Sequence, residues 1–214
     1  LLEHVVRRSR LIRSVDEVVV ATSTSDLDDA IESACVSMAI RCVRGSETDV
    51  LARYVLAAAE TDAETIIRVT ADCPLLAWEH ASEVLAAHHR AGADYSHNIT
   101  VWGGGTPLGT GVEVFSRATL RRCDEWGREP HHREHVTEFV GENPDSFKMV
   151  RVSAPPELVR PSYRLTVDTP EDLELIRAID ERFGSPLEEI PVSEAVALLD
   201  REPGLLAINQ HLAH

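Results

Sequence analysis

The sequence predicts an α/β protein built on a mostly parallel sheet, and three observations carry that prediction. Short β-branched runs alternate with amphipathic helical stretches from Val15 to about Ala91, at the spacing of right-handed crossovers. The runs are continuously apolar toward their ends, as strands covered on both faces are. Two of them deliver a carboxylate, Asp72 and Asp168, to the strand end, and ligands bind at the carboxyl edge of such sheets.

Composition sets the outer limits. At 214 residues the chain is expected to form one domain spanning 1–214, with 43% apolar and 27% charged residues, ordinary values for a globular protein. A formal net charge of −15 argues against a nucleic-acid partner or a polybasic membrane anchor. Lys148 is the sole lysine, so nearly all positive charge is arginine. Cys35, Cys42, Cys73 and Cys123 show no CxxC or zinc-type spacing, and reduced thiols in the cytoplasm are expected. No apolar run approaches the roughly 20 residues of a membrane span, and the N-terminus has no signal-peptide core.

The elements follow in order. Leu2, Val5, Val6 and Ser9 recur at helical spacing within Leu1 to Arg13. Val15 to Thr22 is a strand, and Ser25 or Asp26 caps a helix to about Ala39 with Ala30, Ile31, Ala34 and Met38 on one face. Ile40 to Val43 is a short strand, and Thr48 to Thr61 a helix. Thr65 to Thr70 is a buried strand stopped by Cys73-Pro74, since proline has no N–H for the ladder. A helix from Trp78 to Ala91 leads through Gly92 into Asp94-Tyr95-Ser96. Asn98 to Gly111, with Gly103-Gly104-Gly105 and Pro107, is a loop or hairpin excursion. Gly111 to Phe115 is a strand, and Ser116 caps a helix to Trp126. Pro130 begins a helix to Val140 or Gly141; strands follow at Phe147 to Val152 and Tyr163 to Val167. Thr169-Pro170-Glu171-Asp172 starts a helix to Phe183, with a capping threonine, proline at the first turn and acids on the positive dipole end. The last helix spans Ser193 to Arg201.

Three constellations can carry chemistry. Asp72 and Asp168 each end a strand before a helix; each is a structural strand-end acid or cap, or the two share a Mg²⁺, which favours one or two carboxylates plus substrate phosphates. Pro130-His131-His132-Arg133-Glu134-His135 is dense in titratable groups. His131 and His135 stand four apart, but the His-Glu-x-x-His pattern is absent, so zinc is disfavoured. Arg133 and Glu134 instead contact a hydroxylated or anionic substrate, or belong to a solvated first turn. Gly103-Gly104-Gly105 lacks the Lys-Ser/Thr of a phosphate loop, and there is no GxGxxG or G-x-S-x-G.

Six blocks then point to a family: VVVATSTSDLDD (18–29), RGSETDVLARY (44–54), RVTADCPLL (68–76), GVEVF (111–115), REHVTEF (133–139) and LTVDTPEDLELI (165–176). In this order they resemble the cytidylyltransferases of the spore coat polysaccharide biosynthesis protein F type, relatives of CMP-Kdo synthetase and the acylneuraminate cytidylyltransferases. The resemblance implies a Rossmann-like, three-layer α/β/α fold of the nucleotide-diphospho-sugar transferase type. It implies transfer of CMP from CTP to an acidic sugar, giving a CMP-sugar and pyrophosphate. Asp72 and Asp168 would hold Mg²⁺ at the α-phosphate. Thr22, Ser23, Arg44, Gly45 and Ser46 would line the nucleotide pocket, and Arg68, Glu113, Arg133, Glu134 and His135 the acceptor side. A homodimer formed through about 99–110 is also implied.

The family pattern begins with a strand and a glycine-containing loop carrying an arginine and Pro-Gly-Lys, and Leu1 corresponds to a point just after it. Residues 1–214 by themselves are therefore expected to show little or no transferase activity. The alternatives are a catalytically impaired binding or scaffolding protein, and a CTP-dependent phosphonate cytidylyltransferase.

Overall fold

The structure, a computed structural model describing residues 1–184 and 186–212, contains two sheets. β1 (Val19–Ser23) and β2 (Arg41–Gly45) pair in parallel. β3 (Thr65–Arg68), β4 (Tyr95–His97), β5 (Glu113–Ser116) and β6 (Met149–Arg151) form the second sheet in the order β3-β5-β4-β6. β4 and β6 are parallel, while β5 runs antiparallel to both β3 and β4. β3, β4 and β6 therefore share one direction. β5 opposes them because the excursion after β4 turns the chain back along its neighbour.

Strand alternation divides the covering helices into two layers. Ile66, Phe115, Tyr95 and Met149 lie opposite one another across the four strands and face α3 (Val50–Glu60), α5 (Arg117–Trp126), α6 (Pro130–His135) and α7 (Glu138–Glu142). Ile67 and Val114 face the other way, onto Ala81, Val84 and Leu85 of α4 (Trp78–Ala91). α3 also contacts β1 and β2, so it joins the two sheets. α2 (Asp29–Ser37) follows a short 3₁₀ turn, Asp26–Asp28, and covers the β1–β2 edge. Of the face expected for it, Ala30 is exposed; Cys35 is its one buried residue. The C-terminal helices α8 (Pro170–Phe183), α9 (Val192–Arg201) and α10 (Pro203–Leu206) pack a separate apolar cluster against Leu75, Ala77 and Leu165.

Three expected elements are corrected. The strand from Val15 begins only at Val19, because Ser14 adopts φ 65 and the acids Asp16 and Glu17 follow the turn. Tyr163 to Val167 makes no ladder. Tyr163 C=O and Leu165 N–H both bond to Leu108, whereas Val167 N–H bonds to Asp72, so the segment tethers two loops. The helix from Pro130 breaks at Val136, which separates α6 from α7. Val136 has φ 65 and ψ −53, and Thr137 N–H donates to His135 C=O at 2.7 Å across it. This is a γ-turn of the rare, strained kind. A β-branched residue holds it because the side chain is fully buried among Phe115, Leu120 and Val140.

α1 (Leu2–Arg10) is anchored by a buried cation. Arg8 is 0% exposed, and its guanidinium donates to the carbonyls of Leu76 (2.8 Å), Leu187 (2.9 Å) and Ile190 (2.8 Å). Burial pushes its pKa down to about 10, still charged at neutral pH. Arg8→Ala leaves three carbonyls unpaired and is expected to destabilise the protein by roughly 3 kcal/mol. A lowered urea midpoint at unchanged m-value would report it.

Candidate active site

The carboxyl ends of β3, β4 and β6 form one edge, and a backbone hydrogen bond there joins the segments that carry the two acids. Asp72 sits in a turn closed by Cys73 N–H to Thr70 C=O at 3.2 Å. Its own carbonyl accepts from Val167 N–H at 2.8 Å, which places the 165–168 segment beside the 70–73 turn. The Asp72 carboxylate takes one contact, from the Cys73 thiol at 3.4 Å. Burial and the Asp72 charge push that thiol up to about 12, so it remains a protonated donor.

Asp168 is exposed and accepts from Arg164 through Oδ2, leaving Oδ1 open. Arg164 is held in turn by Asp172, through Nε at 3.0 Å and Nη2 at 3.1 Å. Asp172 is fully buried and also accepts from the N–H groups of Asp168 and Thr169 (3.1 Å each) and from Asn209 (2.8 Å). Its burial opposes ionisation, yet these donors, Arg164 foremost, outweigh it and hold the carboxyl well below the usual range. The Arg164–Asp172–Asn209 group therefore fixes where Asp168 stands. Both carboxylates keep free oxygens, the ligand type that a hard divalent cation takes.

Beside the acids a polar row crosses the whole sheet. Arg68 lies opposite Glu113, Glu113 opposite His97, and His97 opposite Arg151, all on the face that carries Tyr95 and Phe115. Glu113 is 5% exposed and accepts from Arg68 at 2.5 Å, Tyr95 Oη at 2.7 Å and the Thr137 hydroxyl. Desolvation alone would lower the Arg68 pKa, but the Glu113 charge overrides it and raises it. The γ-turn at Val136 is what aims the Thr137 hydroxyl at Glu113. His97 and Trp102 pack with ring centroids 5.5 Å apart at 88°, and Trp102 closes against Gly141, where a Cβ would come within 2.6 Å of its ring. The excursion thus folds Trp102 back over the sheet edge and leaves Val101 73% exposed.

Thr22, Ser23, Arg44, Gly45 and Ser46 come together at the ends of β1 and β2. Asp28 accepts from the Thr22 hydroxyl (2.7 Å), the Ser23 hydroxyl (2.6 Å) and the Ser23 N–H (2.9 Å). Arg44 donates to the Ser23 and Ser25 carbonyls at 2.8 Å and pairs with Asp29 and Glu32. Arg53, which carries no local signal of its own, donates to the carbonyl of Ser46 at 2.6 Å and packs against Gly45. These contacts shape the loop from within. The Ser23 and Thr22 hydroxyls and the Ser23 N–H hold Asp28 down to about 2. A depressed folded-state pKa stabilises above the unfolded value near 4 and is lost as pH falls through about 2. Ser23→Ala is expected to return the Asp28 pKa toward its ordinary value, read by carboxyl NMR titration between pH 1.5 and 5.

Arg133, Glu134 and His135 lie on α6, away from the acids in sequence and differently engaged. Arg133 is bidentate to Asp49, with Nη2 at 2.7 Å, and reaches Asp124 at 2.9 Å, which ties α6 to α3 and α5. Glu134 and His135 are exposed. The histidine geometry differs from the four-residue spacing: His131 and His132, not His135, converge on Glu142, at 2.6 and 2.7 Å. These three are the one group of metal-ligand type with at least three members among the described residues. Glu129 N–H donates to His132 Nδ1 at 3.2 Å, so the ring proton of neutral His132 sits on Nε2 and points at Glu142. That tautomer closes Nε2 to a metal, and the cluster reads as a carboxylate clamp joining α6 to α7. Its two histidine bonds hold the Glu142 carboxyl below the usual range.

The two prominent surface clefts lie elsewhere. One of about 550 Å³ runs between Glu3, Arg7, Asp180 and Glu188, and one of about 220 Å³ between Arg10, Asp16 and Arg41. Neither is lined by the candidate site, which runs as a shelf along the carboxyl edge of the sheet. Arg53, His97, Arg151 and Arg164 were not legible as site residues. The sole local signal nearby was the Thr169–Asp172 capping box, a spacing that also positions Asp168.

Comparison with known proteins follows the same lines. Residues 1–194 match the family described as cytidylyltransferase. The spore coat polysaccharide biosynthesis protein SpsF of Bacillus subtilis is 33% identical over 205 residues, covering 95% of this chain and 83% of that protein. An uncharacterised protein of Methanocaldococcus jannaschii is 30% identical over 212 residues, covering 99% and 84%. Among solved structures, a cytidylyltransferase from Leptospira borgpetersenii superposes with TM-score 0.88 at 26% identity, covering 96% of this chain and 84% of that one. CMP:2-keto-3-deoxy-manno-octonic acid synthetase in complex with CTP superposes with TM-score 0.59 at 15% identity, over 85% and 87%, a likeness of fold.

Proposed function

The chain belongs to the cytidylyltransferase family, and from that premise we propose that it transfers CMP from CTP to an acidic sugar or related acceptor, releasing pyrophosphate, in polysaccharide biosynthesis. The observation that carries this reading is the hydrogen bond from Val167 N–H to the Asp72 carbonyl, which supports a two-carboxylate site at the carboxyl edge of the sheet. Asp72 and Asp168 would hold Mg²⁺, which when bound neutralises charge on the phosphoryl oxygens. Arg164 and Asp172 keep Asp168 in position for that role. The loop of Thr22, Ser23, Arg44, Gly45 and Ser46 offers main-chain groups to the cytosine, and its internal bonds fix their directions before the nucleotide arrives. On the acceptor side, Glu113 and Arg68 neutralise one another and set the floor of the shelf. A hydroxyl of the acceptor attacks the α-phosphorus in line and loses its proton to solvent, while the bond from the α-phosphorus to the α,β-bridging oxygen breaks and pyrophosphate leaves.

Four free cysteines, Cys35, Cys42, Cys73 and Cys123, favour a reducing compartment, and a cytoplasmic location is part of the proposal. No described helix is long and apolar enough to cross a membrane. A homodimer through 99–110 is likewise proposed, with the exposed Val101 at the tip of the excursion in its support.

The test is pyrophosphate release by the full-length protein with Mg²⁺, each of the four nucleoside triphosphates, and a panel of acidic and neutral sugars. Release that requires both CTP and an acid is expected. Equal turnover of neutral sugars, or of UTP, would sink the reading.

A further inference from the structure

Arg68 and Arg133, the two arginines expected on the acceptor side, are not equivalent to a third, Arg151. Arg68 is neutralised by Glu113, and Arg133 by Asp49 and Asp124, whereas Arg151 has no carboxylate partner among the described residues. Arg151 is the last residue of β6 and lies directly opposite His97, the last residue of β4, on the same edge as Asp72. His97 is 4% exposed, and its Nδ1 has no hydrogen-bond partner. The Arg151 guanidinium rests on Gly103, where a Cβ would lie 2.8 Å from Nη1 and where φ is 81, a conformation that favours glycine. Trp102 walls the far side of His97.

We propose that Arg151, with His97 beside it, receives the carboxylate of the acceptor; this rests on the acceptor being an acid, as read above. An unpaired guanidinium at the rim can meet a carboxylate through two parallel N–H bonds, the geometry in which arginine surpasses lysine. Arg68 and Arg133 are less suited because their charges are already met, Arg68 by the buried Glu113 and Arg133 by Asp49 and Asp124. Burial keeps His97 below its ordinary pKa against the pull of Glu113, so it enters the site as a neutral ring. Its place in the row lets Glu113 absorb the Arg68 charge and leaves the Arg151 charge for the ligand. Gly103 keeps the guanidinium at the rim, since a side chain there would displace it.

The experiment is calorimetric and uses the full-length protein with Mg²⁺ and α,β-methylene-CTP. The probes are 2-keto-3-deoxy-octonate, N-acetylneuraminate and glucuronate, each paired with its methyl ester. For the wild type, at least one acid is expected to bind roughly 10- to 100-fold more tightly than its ester. Arg151→Gln is expected to abolish that preference without altering affinity for the nucleotide analogue, and Gly103→Ala to weaken it. A preference that survives in Arg151→Gln, with nucleotide binding intact, overturns the role of Arg151 while the cytidylyltransferase reading stands. A wild type that binds the nucleotide but distinguishes no acid from its ester overturns the proposal as well. Failure of the wild type to bind the nucleotide analogue removes the parent reading, and this one with it.

Discussion

Asp72→Asn is expected to lower kcat for cytidylyl transfer by roughly 10²- to 10³-fold, with the fold intact. The structure separates the two roles of this residue. Its main-chain carbonyl carries the bond to Val167 that joins the two turns, and an asparagine keeps it. Its carboxylate takes one weak thiol contact, so little stability depends on the charge. What the substitution removes is an anionic oxygen at the sheet edge, where the proposed metal would gather charge from the phosphates. The loss should appear in kcat more than in the KM for the acceptor, since a group acting on the developing charge acts in the transition state. Asp168→Asn is expected to behave alike, because Arg164 retains Asp172 as its second partner. Steady-state pyrophosphate release, with near-identical far-UV dichroism for both variants, is the measurement. An Asp72→Asn enzyme within threefold of wild type would remove Asp72 from the chemistry.

Glu113→Ala is expected to cost about 3–5 kcal/mol of stability, the largest loss for any single substitution near the site. Three donors converge on this buried carboxylate: Arg68, Tyr95 and Thr137. Truncation strands the Arg68 cation at a site where its side chain is 19% exposed, and leaves the Tyr95 hydroxyl without an acceptor. It also releases the Thr137 hydroxyl, one of the contacts that hold the γ-turn at Val136. Glu113→Gln keeps the shape and one acceptor oxygen, and is expected to fall between the wild type and the alanine variant. Urea denaturation resolves the series. Equal stability of the alanine variant and the wild type would show that the row is not an energetic unit.

How much of this was legible follows from where the signals lie. α4 and α8 were read to the residue because Gly92, Thr169 and Pro170 act locally, through a left-handed terminus, a capping hydroxyl and a fixed φ. The break at Val136 had no such mark. No glycine or proline stands there, and the strain is held by packing from helices distant in sequence. Tyr163 to Val167 has the composition of a strand, but its donors and acceptors are claimed by two different loops. Asp72 was recognisable as an acid following a strand and Asp168 as one preceding a helix; that their segments touch was not, since the contact is a backbone bond between remote segments. His97 and Arg151 were invisible for a related reason. Each is an ordinary strand-terminal residue until the strand order β3-β5-β4-β6 puts them side by side.

The polar row also bears on how the chain avoids misassembly. Side chains alternate faces along a strand, so shifting one strand by a single residue would turn its member of the row toward the opposite layer. For β5 that error would press Glu113 against Ala81, Val84 and Leu85 of α4, away from its donors Arg68, Tyr95 and Thr137. An unpaired buried charge is far costlier than a mismatched methyl group. The short strands of this sheet, three or four residues each, have few ladder bonds with which to fix their alignment. Arg68, Glu113, His97 and Arg151 therefore act as a register lock: they penalise the slipped sheets that apolar patterning alone would tolerate.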